Sequence, residues 1–117
     1  MATALQPLQA FDVVVVPFPF TDRSASKRRP ALVLSAPKFN DAARHSVLAM
    51  ITSAEQAAWI GDCAIRDLPA AGLSEPCVVR LKLFTLDHRL IIRRCGQLAA
   101  ADQKRLRAAW KGLLAVM

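Results

Sequence analysis

Apolar residues occur mainly in short runs that polar or proline-containing segments separate. The run FDVVVVPF at residues 11–18 predicts a buried strand, because valine favours strands and four valines are consecutive. A polar loop is expected over 19–29. PALVLS at 30–35 then predicts a second strand. HSVLAMITS at 45–53 predicts a central strand, since it is apolar on both faces up to its last two residues.

The second half of the chain continues with strands. DCAIRDL at 62–68 indicates a short strand, and AAGLSEPC at 70–77 indicates a turn. CVVRLKLFTL at 77–86 partly alternates, as a half-buried strand does, and RLIIRRCGQL at 89–98 predicts a further strand. One face of the alternating strand is expected to carry Val78, Arg80, Lys82 and Phe84.

A helix is expected at the C-terminal end. From about Ala101 the apolar residues follow the i, i+3, i+4, i+7 spacing of one helix face. They are Leu106, Ala109, Trp110, Leu113, Leu114 and Met117. Asp102 would lie near the positive N-terminus of this helix. Several short strands followed by one helix predict a mainly β fold with α, a small antiparallel β-barrel with a C-terminal helix.

Length and composition indicate a single domain over residues 1–117. Hydrophobic residues make up 54% of the 117 positions, which is typical of a globular protein. The apolar runs are much shorter than the ~20 residues of a membrane span, and the N-terminus lacks a secretory pattern, so a cytoplasmic location is expected. Cys63, Cys77 and Cys95 lack metal-binding or disulfide spacing and are expected to be free thiols.

The net charge of the chain indicates a negatively charged binding partner. A net charge of +7 on so short a chain favours a polyanion, which could be nucleic acid, an acidic protein or an anionic membrane surface. The alternative is that the excess of lysine and arginine only keeps the protein soluble. Charge alone does not decide between these two interpretations.

The motifs of several enzyme classes are absent from the sequence. There is no HExxH, no glycine-rich phosphate loop and no GxSxG. His45 and His88 are each isolated, and no pair of carboxylates has a spacing suited to Mg²⁺. We therefore expect no metal site and no cofactor.

Two arginines at the start of a buried strand are the first candidates for chemistry. Arg28 and Arg29 precede Pro30, and a residue before proline is restricted to an extended backbone. Arg29 therefore has a defined side-chain direction, as a phosphate-binding arginine requires. The alternative is that both arginines belong to a solvated loop.

Two further pairs of polar residues lie on predicted strands. Thr52 and Ser53 end the central strand with two hydroxyl groups, although strand termination alone would explain them. Arg80 and Lys82 place two cations on one strand face, which would equally suit an exposed sheet face or the rim of an oligomer contact.

The order and spacing of five segments resemble the MazF/PemK-like toxins of bacterial type II toxin–antitoxin systems. The similarity extends over about residues 11–114, and no single segment carries it. The segments are DVVVVPFPFTD, SKRRPALVLS, MITS, GLSEPCVVRLKLFTLD and LIIRRCGQL, the last followed by the helix.

This resemblance implies an SH3-like barrel, a homodimer and a metal-independent endoribonuclease that cuts single-stranded RNA, mainly mRNA, at short sequences. The 2′-hydroxyl would attack the adjacent phosphorus and leave a 2′,3′-cyclic phosphate. A cognate antitoxin protein would cover the RNA groove. Matched to the family's motifs, Arg29 and Thr52 take the catalytic positions, and Ser53 and Arg80 take neighbouring site positions.

The general base is not fixed by the resemblance. Some members have a glutamate in the first loop, where TDRSASKRR offers Asp22 as its acid, and others have an aspartate where this chain has Lys82. Asp22 is therefore our candidate for the third catalytic residue. The residues expected to contact RNA are Lys27, Arg28, Ser53, Arg80 and Lys82.

Two other hypotheses stay open at this point. A non-catalytic nucleic-acid-binding module on the same barrel would show salt-sensitive binding without cleavage. A protein that works only by interaction would use its basic face to bind an acidic partner chain.

Overall fold

The described strands form one antiparallel sheet. A computed structural model describes residues 7–18 and 27–116, and its six strands pair in the order β4-β5-β3-β2-β1-β6. The bounds are β1 Asp12–Phe18, β2 Lys27–Val33, β3 His45–Ser53, β4 Cys63–Ala64, β5 Cys77–Asp87 and β6 Arg93–Gln97. The predicted central strand is confirmed, because β3 pairs with both β2 and β5.

In the described residues, three helices and a 3₁₀ turn connect or follow the strands. They are α1 Pro37–Ala43, α2 Leu68–Ala71, α3 Ala100–Trp110 and the 3₁₀ turn His88–Leu90. The pattern of apolar residues gave no indication of α1. The helix α2 is a single turn that begins at the end of the predicted short strand 62–68, of which only Cys63–Ala64 is a strand, and ends in the predicted turn 70–77. Gly72 ends α2 at φ 73°, and a Cβ there would come 2.1 Å from the Cys95 carbonyl oxygen. Glycine is therefore required at this contact between α2 and β6.

The second strand begins earlier than the sequence predicted. Lys27, Arg28 and Arg29 were expected in a loop, but they pair with Phe18, Pro17 and Val16 of β1. The loop prediction was wrong here because the polar residues of β2 continue the hydrogen-bonded pairing of a mostly apolar β1. Residues 19–26 lie outside the described part of the chain.

Each side of the sheet carries its own core. We call the side that packs against α3 the α3 face; its buried residues include Val13, Leu32, Ile51, Leu106 and Trp110. We call the other side the distal face; its buried residues include Val14, Val16, Ala31, Val33 and Leu48. Because β1 is buried on both faces, its sequence is a continuous run of valines.

A β-bulge in β5 inserts two extra residues opposite β3. Met50 pairs with Arg80, whereas its neighbour Ala49 pairs with Leu83. Because two residues are inserted, the faces of the strand are kept, and Phe84 packs against the distal core on the same side as Arg80, as the sequence predicted. Leu83 lies on the opposite face and is 42% exposed.

The C-terminal helix is confirmed but is shorter than predicted. Leu106 and Trp110 are buried in the core, but α3 ends at Trp110 and Gly112 follows at φ 83°. Leu113 and Leu114 thus lie beyond the helix, Ala109 is exposed, and Met117 is outside the described residues. In residues 7–18 and 27–116, no helix has the length and apolar character needed to cross a membrane.

All three cysteines are free thiols, as expected. Cys63 is buried, and Cys77 and Cys95 are half-buried. Burial raises the pKa of each thiol above its ordinary value.

Candidate functional site

Arg29 lies in a paired part of β2 with its side chain half-buried. It is opposite Val16 of β1, and its guanidinium carbon lies 5.2 Å from the centroid of the Phe18 ring. This distance is within the range of a cation–π contact. Ala31, two residues further along β2, is fully buried in the distal core, so alternation places Arg29 on the distal face.

Thr52 lies on the same face of the neighbouring strand. It is 8% exposed and is opposite Val78 of β5. The β2–β3 pairing includes Ala31 opposite Met50, and continuing this antiparallel register by two residues on each strand leads to Arg29 and Thr52. We therefore infer that these two side chains are cross-strand neighbours on the distal face.

Arg28, the other arginine of this segment, points to the opposite face. Arg28 alternates with Arg29, and it borders a shallow pocket of about 280 Å³. Arg29 also contributes to the rim of this pocket, which is otherwise lined by Val15, Pro30, Gly72, Leu73, Arg93 and Cys95. Lys27, on the distal face by alternation, is exposed opposite Phe18.

Ser53 is separated from Thr52 by the same alternation. Its hydroxyl accepts a hydrogen bond from the Glu55 backbone N–H at 3.2 Å. Ser53 also borders a second pocket, of about 410 Å³, together with Glu55, Ser74, Glu75 and Pro76. The two hydroxyl groups that the sequence suggested as a pair therefore open onto different surroundings.

Arg80 is engaged within the protein. Its Nε donates to Asp62 Oδ1 at 3.0 Å, and its Nη2 donates to Asp62 Oδ2 at 2.9 Å and to the Ala57 carbonyl at 2.7 Å. These bonds lower the pKa of Asp62 and raise that of Arg80. The side chain of Arg80 is only 11% exposed, so its guanidinium fixes the segment between β3 and β4.

Lys82 contacts the same segment. Its Nζ lies 4.3 Å from the centroid of the Trp59 ring. The sequence predicted Arg80 and Lys82 as cations that share a strand face, and both side chains do converge, but on Trp59 and Asp62. Neither of these partners was identified from the sequence, although WIGD at 59–62 combines an aromatic residue, a turn glycine and an acid close after MITS.

Of the remaining acid–base candidates, Asp22 lies outside the described residues, so its role stays a prediction. His88 Nε2 is 2.8 Å from the Ser46 hydroxyl, which is fully buried, and burial together with the nearby His45 lowers the pKa of His88. Among residues 7–18 and 27–116, no three histidine, cysteine or acidic side chains come close enough to form a metal-binding group.

The curled antiparallel sheet followed by a C-terminal helix places the chain in the class of small, mainly β barrel proteins. The sequence profile of the PemK-like, MazF-like toxins of type II toxin–antitoxin systems matches residues 9–114. The chain belongs to this family, and the resemblance seen in its five segments is confirmed.

Solved structures support the same fold. The MazE–MazF complex from Deinococcus radiodurans matches at 20% identity and a TM-score of 0.71, over 94% of this chain and 97% of that chain. The Mycobacterium tuberculosis toxin MazF-mt6 matches at 20% identity and a TM-score of 0.66, over 84% and 90%. A mycobacterial endoribonuclease in complex with its cognate antitoxin matches at 14% identity and a TM-score of 0.69, over 93% and 95%.

At such low sequence identity, these matches show similarity of fold alone. They confirm the predicted small barrel with a C-terminal helix. None of the curated protein sequences matches the chain.

Proposed function

We propose that this toxin is an endoribonuclease that cuts single-stranded RNA, mRNA in particular, at short sequences and without a metal ion. The observation that supports it best is the placement of Arg29 and Thr52 on neighbouring strands of one sheet face. Membership of the toxin family and the net charge of +7 support an RNA substrate.

The proposed reaction is an in-line transesterification. The ribose 2′-oxygen bonds to phosphorus, the bond from phosphorus to the 5′-oxygen breaks, and the products are a 2′,3′-cyclic phosphate and a 5′-hydroxyl. Negative charge grows on the non-bridging oxygens in the transition state. The half-buried Arg29 guanidinium would stabilise that charge, and the Thr52 hydroxyl would donate a hydrogen bond to one of these oxygens.

Proton transfer needs a further group. Arginine stays protonated in proteins, so Arg29 would not serve as the base. In the proposal Asp22 takes the proton from the ribose 2′-hydroxyl, and the leaving 5′-oxygen takes a proton from solvent. Lys27 would contact the RNA backbone on the distal face. The side chains of Arg28 and Ser53 point to the α3 face. They would therefore contact the RNA only where the RNA passes around the edge of the sheet to that face.

The test is cleavage of a long, mixed-sequence RNA in the presence of EDTA. Arg29→Ala is expected to lower the rate by about 10²–10³, as the loss of one transition-state stabiliser does. Lys104→Ala is the control, because it removes the same charge from an exposed position on α3. Intact RNA after incubation with the wild-type protein would instead favour a non-catalytic binding module.

The same cleavage assay tests the role of the Thr52 hydroxyl. Thr52→Val removes the hydroxyl and keeps the shape, so it should lower the rate strongly, whereas Thr52→Ser should retain most of it. Thr85→Val, at an exposed position on β5, controls for the change of residue type. Equal rates for Thr52→Val and Thr85→Val would remove Thr52 from the mechanism.

We also propose that the toxin is a homodimer that a cognate antitoxin protein binds. The support for the antitoxin is the family itself, whose members are toxins of type II toxin–antitoxin systems. The apolar face of α3 does not supply a dimer contact, since Leu106 and Trp110 fill the protein's own core. Exposed apolar residues elsewhere, among them Ile60 and Leu113, support the dimer.

A further inference from the structure

The segment between β3 and β4, residues 54–62, carries an exposed tryptophan. Trp59 is 47% exposed and Ile60 is 78% exposed. By contrast, Trp110, which the same segment contacts, is 3% exposed. A large aromatic ring open to solvent on a folded protein is a candidate contact for a ligand or partner.

Several hydrogen bonds hold this segment in one conformation. The Trp59 backbone N–H donates to Asp62 Oδ2 at 3.0 Å, and the Asp62 N–H donates to the Trp59 carbonyl at 3.1 Å. The Trp110 indole N–H donates to the Gly61 carbonyl at 2.8 Å. Arg80 adds its bonds to Asp62 and Ala57. The Trp59 ring is therefore presented by a fixed turn, and little conformational entropy would be lost when it binds.

A cation lies against the ring. The Lys82 Nζ is 4.3 Å from the Trp59 centroid, within cation–π distance, which restrains the ring orientation. It also places a positive charge beside an aromatic surface. Aromatic rings next to lysine or arginine are the features with which proteins bind single-stranded nucleic acid, because bases stack while cations meet phosphates.

The segment also lies close to Arg29 and Thr52. It begins directly after Ser53, and Arg80, which fixes it, is opposite Met50 of β3. Arg80 and Thr52 are thus diagonal neighbours on two paired strands, with Cα atoms about 7–8 Å apart. One unpaired nucleotide could therefore reach Trp59 while its neighbour contacts Thr52.

We propose that Trp59 is a stacking platform for an unpaired RNA base next to the bond that is cut, with Lys82 as the cation that orients it. This inference rests on the proposed function, since it assumes that RNA binds across Arg29 and Thr52. Stacking on one fixed ring would restrict the RNA at that position to single-stranded form.

Tryptophan fluorescence tests the inference directly. In an Arg29→Ala protein, which should cut RNA about 10²–10³ times more slowly, a short single-stranded RNA should quench the emission of Trp59 before it is cleaved. The same RNA annealed to its complement should quench it much less, since paired bases cannot stack on the ring. Trp59→Phe leaves only the buried Trp110, so the quenching should disappear although the RNA still binds.

Affinity provides the second measurement. Trp59→Ala should raise the Kd for single-stranded RNA by roughly 5- to 150-fold, and Trp59→Phe, which keeps an aromatic face, should restore most of the affinity. Phe39→Ala is the matched control, because Phe39 is similarly exposed, at 45%, on α1.

The outcomes separate this inference from the proposed function. Quenching by single-stranded RNA without cleavage by the wild-type protein would support the platform and contradict the endoribonuclease. Cleavage with neither quenching nor a change of Kd in Trp59→Ala would overturn the platform alone. A normal Kd in Trp59→Ala together with a loss of self-association would instead identify the segment as a protein contact, and would equally overturn it.

Discussion

Asp102 shows how one carboxylate on α3 joins distant parts of the chain. Its oxygens accept hydrogen bonds from the Arg66 N–H at 3.1 and 3.2 Å and from the Asp67 N–H at 2.9 Å, and Arg105 pairs with it. Burial acts to raise the pKa of Asp102, but these donors outweigh it, and the pKa lies below its ordinary value. The sequence suggested Asp102 only as a complement to the helix N-terminus, because its two backbone donors lie 35 and 36 residues away.

Removal of this carboxylate should destabilise the protein strongly. Asp102→Ala leaves two backbone N–H groups and Arg105 without their acceptor, and we expect a loss of about 3–5 kcal/mol in the free energy of unfolding, measured by urea titration. Asp41→Ala, at an exposed position on α1, should change it by less than about 0.5 kcal/mol.

The sign of the pH dependence follows from the lowered pKa. Stability from Asp102 is fully present above its ordinary pKa of 3.8 and is lost as the pH falls through the lower value of the folded state. The difference between wild type and Asp102→Ala should therefore shrink only in strongly acidic solution. A difference that already shrinks between pH 7 and 5 would contradict this assignment.

At the scale of elements, β5 carries two leucines that differ in burial and should therefore differ in their contribution to stability. Leu83 lies beyond the bulge and is 42% exposed, whereas Leu86 is 3% exposed in the distal core. Leu86→Ala should therefore lower the free energy of unfolding by about 2–5 kcal/mol, and Leu83→Ala by less than about 1 kcal/mol, in urea titrations. Similar losses for both variants would mean that Leu83 is buried to the same extent as Leu86.

How far the sequence predicts each element depends on whether its cause is local. The runs in β1 and β3 are apolar because both of their faces are buried, so they could be identified without a partner. The bulge in β5 could not, since it arises where β5 shifts its register along β3. The segment 54–62 was missed for the same reason, because its conformation depends on Arg80 and Trp110 from elsewhere in the chain.

In the candidate site, too, local sequence predicts some features, whereas others depend on how the strands pair. Arg29 and Thr52 were chosen from segments that resemble the toxin family, and alternation then places them on one face. The separation of Arg28 from Arg29, and of Thr52 from Ser53, follows from strand pairing. The sequence had assigned Arg28 to a loop, where a side chain has no fixed face.

For the whole molecule, the described surface retains apolar residues that its own cores do not cover. Ile60 is 78% exposed, Leu113 is 41% exposed and Val116 is 94% exposed. Gly61, the residue that follows Ile60 in the chain, packs against Leu113, since a Cβ on Gly61 would lie 2.9 Å from Leu113 Cδ1. Such neighbouring apolar residues favour a contact between two copies of the chain.

The proposed homodimer has a direct test. Light scattering at micromolar concentration should give about 26 kDa, twice the 12.8 kDa of one chain. Leu113→Glu would place a charge in the contact and should raise the dissociation constant at least about tenfold, whereas Leu83→Glu, similarly exposed on β5, serves as the control. A mass of one chain for the wild-type protein would contradict the dimer. A Leu113→Glu protein that stays dimeric would show that the two copies meet through another surface.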